Sequence, residues 1–156
     1  MRIQSVGLVT CASLLLVFAG CPGGGAKELP DLVPVGGTVM LDGEPLSGAT
    51  VTFIPVGATR GRACTGLTDA SGRYEIKADA GHKGAPVGEF QVTCAKWVME
   101  DGSDFHSAEG LSPLEAGAQE KLPPKYSSET ETELKATVPA GGSDSINFEL
   151  SSAQQE

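Results

Sequence analysis

Apolar side chains that alternate over short runs, broken by Gly, Asp and Pro, restrict the fold of this chain more than any other feature. The run from Val35 to Pro55 shows the pattern most fully. Val35, Gly37, Val39 and Leu41 occupy alternate positions, as do Ala49, Val51 and Phe53. A period of two gives each segment one apolar face, which is the signature of a half-buried β-strand. Asp42-Gly43 is a strong turn signal, because Gly takes positive φ cheaply and Asp tolerates it. Pro45 and Ser47-Gly48 delay the second strand, so the sequence predicts a turn plus a short arch rather than a minimal hairpin.

The same pattern recurs along the chain. After a Gly-rich loop over 56–61, residues 63–68 read as a weak strand, Asp69 to Gly72 as a turn, and Tyr74 and Ile76 as inward residues of the next strand. A loop over 81–87 leads into a strand over 87–97, where Phe90, Val92 and Cys94 alternate with Glu89, Gln91 and Thr93. The pattern breaks over 98–119. There Ser112-Pro113-Leu114-Glu115 reads as a capping box with Pro at the first helical position, predicting a short helix over 113–120 that Gly117 weakens. The β-pattern resumes at Leu122-Pro123-Pro124-Lys125-Tyr126, then over 133–138 and 145–150 around a 139–142 turn. Low aromatic content (5%) and 21 Gly in 156 residues suit many short strands and many turns. The expectation is an all-β fold: seven strands in a β-sandwich with one long loop insert over 98–121. A domain of this size buries about 65% of its unfolded surface, enough for an independent core.

The N-terminal segment has a different character. Met1-Arg2 supplies a minimal positive region and Val6 to Phe18 an apolar one, shorter than the ~20 residues a spanning helix needs. It ends in Val17-Phe18-Ala19-Gly20-Cys21. This resembles the bacterial lipobox, where small residues precede a cysteine that becomes lipidated, although Phe18 stands where Leu is usual. The alternative is an ordinary cleaved signal peptide with an incidental cysteine. The expected organisation is a lipoprotein signal peptide over 1–20, lipidated Cys21 with a tether over 22–34, a β-domain over 35–151, and a tail over 152–156. Two or more acyl chains give stable anchoring where one is marginal. Pro22 follows Cys21, so the Asp that retains some lipoproteins at the inner membrane is missing, and inner and outer membranes both stay open.

Taken together, several runs resemble the carboxypeptidase regulatory-like domain: Val35-Gly36-Gly37-Thr38-Val39, Asp42-Gly43-Glu44-Pro45-Leu46, Gly48-Ala49-Thr50-Val51-Thr52-Phe53, Thr68-Asp69-Ala70-Ser71-Gly72-Arg73-Tyr74 and Gly88-Glu89-Phe90-Gln91-Val92. Pro124-Lys125-Tyr126, Leu134-Lys135-Ala136-Thr137-Val138 and Asn147-Phe148-Glu149-Leu150 are similar to the closing segments of small bacterial lipoproteins built from one such domain. The resemblance implies a transthyretin-like (prealbumin-like) Greek-key sandwich of seven strands, placed in the cell envelope outside the cytoplasm. It implies no catalytic residues, and it carries nothing over to the insert.

Chemistry-bearing residues are sparse. A formal net charge of −9 with no basic block argues against nucleic acid as a partner. His82 and His106 fall in separate loops, without the His-x-x-x-His or paired Cys spacing of zinc sites. Glu100, Asp101, Asp104 and Glu109 offer hard oxygen ligands but lack the spacing of a calcium loop. Neither a Gly-x-Ser-x-Gly elbow nor a nucleophile beside a base is evident, so no enzyme, metal or cofactor is expected. Cys64 and Cys94 are a possible disulfide in an oxidising compartment, or else two buried thiols. Trp97, the single Trp, either caps the sandwich edge or anchors a ligand. Two functions follow: a non-catalytic structural or protein-interaction module of the envelope, or a carbohydrate or cell-wall polysaccharide binder using Trp97, Glu100, Asp101, Asp104 and His106.

Overall fold

A computed structural model describes residues 31–78, 81–105 and 112–153. The expected signal peptide, Cys21, most of the tether, His106 and Glu109 lie outside the described residues. The described chain is all-β apart from one helical turn. In order it forms β1 (Leu32–Val33), β2 (Gly36–Leu41), β3 (Glu44–Pro45), β4 (Thr50–Pro55), β5 (Cys64–Leu67), β6 (Arg73–Glu75), β7 (Ala85–Pro86), β8 (Gly88–Ala95), β9 (Trp97–Val98) and β10 (Gln119–Glu120). Then come α1 (Pro124–Ser127), β11 (Lys135–Val138) and β12 (Phe148–Leu150). The alternating runs of the sequence coincide with β2, β4, β5, β6, β8, β11 and β12.

Two four-stranded sheets face each other across one core. The first is antiparallel, in the order β5-β4-β8-β11. In the second, β2 pairs with β6 and β3 and, in parallel, with β12, Phe148 standing opposite Val39. The alternation explains the core. Val39, Val51, Phe53, Ile76, Phe90, Val92, Cys94 and Val138 are fully buried, while their strand neighbours point out. Phe53 on β4 lies 5.6 Å from Phe90, 6.3 Å from Tyr74 and 6.4 Å from Phe148, centroid to centroid. Those partners come from both sheets, so one ring joins the two layers at distances typical of favourable aromatic pairs. Tyr74 also donates its hydroxyl to the Ile146 carbonyl (2.6 Å), and burial pushes its pKa up. A Cβ at Gly37 would run into that same Ile146 carbonyl, which is why the strand carries Gly at this alternating position.

Several expectations are corrected. Asp42 (φ 53°) and Gly43 (φ 84°) close a two-residue hairpin with Leu41 opposite Glu44, so the arch begins only after β3. The fold also starts earlier than Val35, because Leu32 and Val33 pair with Pro86 and Ala85. No helix forms over 113–120: the capping box is made, with the Ser112 N–H donating to Glu115 Oε2 (3.0 Å) and the Glu115 N–H to Ser112 Oγ (3.4 Å), but Gly117 at φ 76° ends it after one turn. The helical turn falls instead on α1, where Pro123 and Pro124 remove two amide donors that a strand would need.

Cys64 and Cys94 do not form the possible disulfide. Cys64 stands opposite Phe53 and Cys94 opposite Val51, on the two sides of β4. With strands about 4.8 Å apart, their Cα atoms are about 10 Å apart or more, beyond the ~7 Å a bridge allows. Burial pushes the Cys94 thiol up to about 12, so it stays protonated and behaves as a small hydrophobe.

Two outcomes follow from this core. Phe53→Ala removes the ring shared by both sheets and is expected to cost about 3–5 kcal/mol in urea unfolding. Reductant is expected to leave the unfolding midpoint where it is, since no bridge worth about 2–4 kcal/mol is there to lose; a lower midpoint on reduction would contradict the β4 separation.

Candidate functional site

Just beyond its end, β8 breaks from the first sheet and the chain continues as β9, which pairs with β10 so that Trp97 stands opposite Glu120. A bridge between Val98 and Asp104 adds a second partner, and Val98, Ala118 and Leu122 are buried beneath. The insert is therefore a small antiparallel unit at its base rather than an open loop. It is stitched to the sandwich by Lys96, whose Nζ donates to Asp104 Oδ1 (2.6 Å) and to the Ser47 carbonyl.

Among the described residues, the acidic side chains of the insert do not converge on one point. Asp104 is taken up in the Lys96 ion pair. Asp101 accepts from the Ser103 backbone N–H (2.9 Å) and hydroxyl (2.6 Å), and these bonds hold its carboxyl below the usual range. Glu100 is exposed, and His106 lies outside the described residues. Among the described residues no group of three or more His, Cys, Asp and Glu side chains is placed to hold a metal ion. Of the proposed surface, Trp97 lines a cavity.

That cavity is a groove of about 700 Å³ between β9, β10, α1 and the segment after β12. Trp97, Glu120, Pro123, Pro124, Ser127 and Ser152 are among its walls. Glu120 builds the corner: its Oε1 accepts from the backbone N–H groups of Lys96 (2.8 Å) and Leu122 (3.0 Å). Its Oε2 is buried without a hydrogen-bond donor. Burial is the main cause of its raised pKa, opposed by those backbone bonds. The far wall is held by Tyr126, whose hydroxyl accepts from the Ser151 N–H (3.2 Å), and by Lys125 Nζ donating to the Ala153 carbonyl (3.1 Å). Sequence reading does not reach Glu120 or the serines, because the pairing of Trp97 with Glu120 spans a gap with no periodic signal.

A second depression, of about 730 Å³, opens between the β5–β6 hairpin and the loop at Ser143. Two of its carboxylates are engaged within the fold. Asp69 accepts from Ser71 N–H (2.8 Å), Ser71 Oγ (2.7 Å) and Arg73 N–H (3.0 Å), while Glu75 pairs with Lys83 (3.1 Å).

The raised pKa of Glu120 has a defined sign. Its ionised form is disfavoured in the fold, so it lowers stability at neutral pH and is relieved as pH falls through the raised value. Asp42, Asp69, Asp101 and Glu115 act oppositely, each held low by hydrogen bonds, and their contribution is lost as pH falls through their lowered values, beneath the ordinary carboxylate range. Urea unfolding at about pH 7 and pH 5 is expected to show wild type gaining stability at the lower pH and Glu120→Gln losing most of that gain. An equal gain in both proteins would remove Glu120 as the cause.

No protein-family model, no curated protein and no solved structure matches the chain.

Proposed function

We propose that this chain is an exported lipoprotein, held to a bacterial membrane by acyl chains on Cys21, whose β-domain is a non-catalytic structural or protein-interaction module of the cell envelope. The finer fold assignment belongs to the same reading: a transthyretin-like Greek-key sandwich of the carboxypeptidase regulatory-like kind. The observation that carries the proposal is the succession Val17-Phe18-Ala19-Gly20-Cys21, a short Gly-rich stretch, and a folded all-β domain. An apolar segment too short to span, ending at a cysteine after small residues, is what lipid attachment requires. Support for the fold comes from the two sheets themselves, in which the last strand lies parallel to an early one and early and late strands alternate across the layers.

The β1–β7 pairing sharpens the geometry of this arrangement. With Leu32 held by the fold, ten residues separate it from Cys21, spanning no more than about 40 Å fully extended. The domain then stays close to its bilayer, with β1 and β7 at the end where β8 begins. Trp97 lies just past the opposite end of β8, about 25–30 Å further along at the rise of an extended chain.

Cys21→Ala in the producing cell is expected to move the protein from the membrane fraction to the soluble one and to abolish incorporation of labelled palmitate. A Cys21→Ala protein that stays in the membrane would remove the anchoring half of the proposal.

A further inference from the structure

We infer that the groove beside Trp97 is a binding site for a neutral, hydroxyl-rich ligand, a short stretch of uncharged polysaccharide. The inference goes beyond the anchoring proposal and does not depend on it. It also moves the binding surface away from Glu100, Asp101 and Asp104, which the fold employs elsewhere or leaves apart.

Three observations carry it. The first is composition: one half-buried indole and the rings of Pro123 and Pro124 supply apolar walls, and Ser127, Ser128 and Ser152 supply hydroxyl oxygens with accepting capacity, held in place by bonds to the Pro123 carbonyl (3.4 Å), to Thr130 Oγ1 (3.0 Å) and to the Asp42 carboxylate. A sugar ring, with one C–H face and an edge of hydroxyls, is matched by such a lining. The second is charge. In a chain of net charge −9, this groove carries one acid and one base, Glu120 and Lys121, so it favours an uncharged occupant, while the surrounding field repels polyanions. The third is preorganisation. Backbone hydrogen bonds to Glu120 Oε1 fix one wall, and the Tyr126 and Lys125 contacts fix the other, so little ordering is required on binding. The volume, about 700 Å³, falls in the range of small-molecule sites and accommodates a few sugar rings. A proline-rich peptide would call for a groove lined mainly by aromatic residues, and here there is a single one.

The single Trp makes the site its own reporter. The full-length protein in detergent micelles is titrated with maltopentaose, cellopentaose and chitopentaose, with a proline-rich decapeptide and a sulfated polysaccharide as comparison probes. The expected result is a saturable change in Trp97 emission with at least one neutral oligosaccharide, weakened about tenfold or more in Ser128→Arg and Ser152→Arg. Both substitutions leave the backbone bonds at those positions in place, and circular dichroism verifies that the variants fold. Trp97→Ala, followed by calorimetry, is expected to lose the same binding. The inference is overturned by unchanged emission with all three oligosaccharides up to about 10 mM, by equal binding in the two Arg variants, or by a response confined to the peptide or the polyanion.

Discussion

The fold depends on Phe53. It sits on β4, the strand flanked by β5 and β8, and its ring reaches Phe90 within its own layer and Tyr74 and Phe148 in the opposite one. Few aromatic residues are present, and four of them meet here, with Tyr74 and Phe148 also stacked at 6.4 Å. Such concentration suits a small sandwich whose remaining core is Val, Leu, Ala, Ile and Cys, because branched and small side chains fill space around the rings without competing for it. The backbone accommodates the packing with Gly where layers and loops come close, as at Gly37 beneath Ile146.

With the core closed around that point, β8 is paired along its whole length, and its continuation past Ala95 is where a site becomes possible. The chain leaves the sheet at Lys96, and both the side chain and the backbone of that residue are used: Nζ toward Asp104 and Ser47, N–H toward Glu120, C=O toward Lys121. A half-buried carboxylate that satisfies two amides through one oxygen and leaves the other unmet is a costly way to close a corner. It nonetheless keeps the β9–β10 pair and the Pro123-Pro124 wall in fixed relation, which a serine-lined groove needs if it is to be shaped before a ligand arrives.

Much of the core is legible in the residues. The alternation of Val51 and Phe53, of Phe90, Val92 and Cys94, and of Ala136 and Val138 names buried positions directly, because a strand turns every second side chain to the same face. The parity of Cys94 is equally plain, whereas its relation to Cys64 is not: which strand lies between two others is a long-range fact, and here β4 separates them. At Ser112 and Pro123 local signals compete. The capping box does form, yet one Gly stops it, while a stretch that reads as strand becomes helical because prolines cannot serve a ladder. The groove is hidden for the same reason as the cysteine geometry, since Trp97, Glu120, Ser127 and Ser152 come together only through β9–β10 pairing and the return of the chain after β12.

The β1–β7 contact also has a mechanical meaning. Leu32 and Val33 hold by a two-residue ladder outside the two main sheets, with Val33 half-buried against the core, and short pairings of this kind open at a fraction of the global unfolding free energy. Tension applied from the N-terminal side is met first by this ladder, then by Pro34 and Val35, whose carbonyls accept from the Ser143 and Ile76 backbone N–H groups, and last by β2, which is secured by β6, β3 and β12. Peeling β1 away pays out about two residues, on the order of 7 Å of chain, and leaves the two main sheets paired. The contact is thus a sacrificial link: it gives slack under load before the core feels the pull, and it can close again when the load is gone.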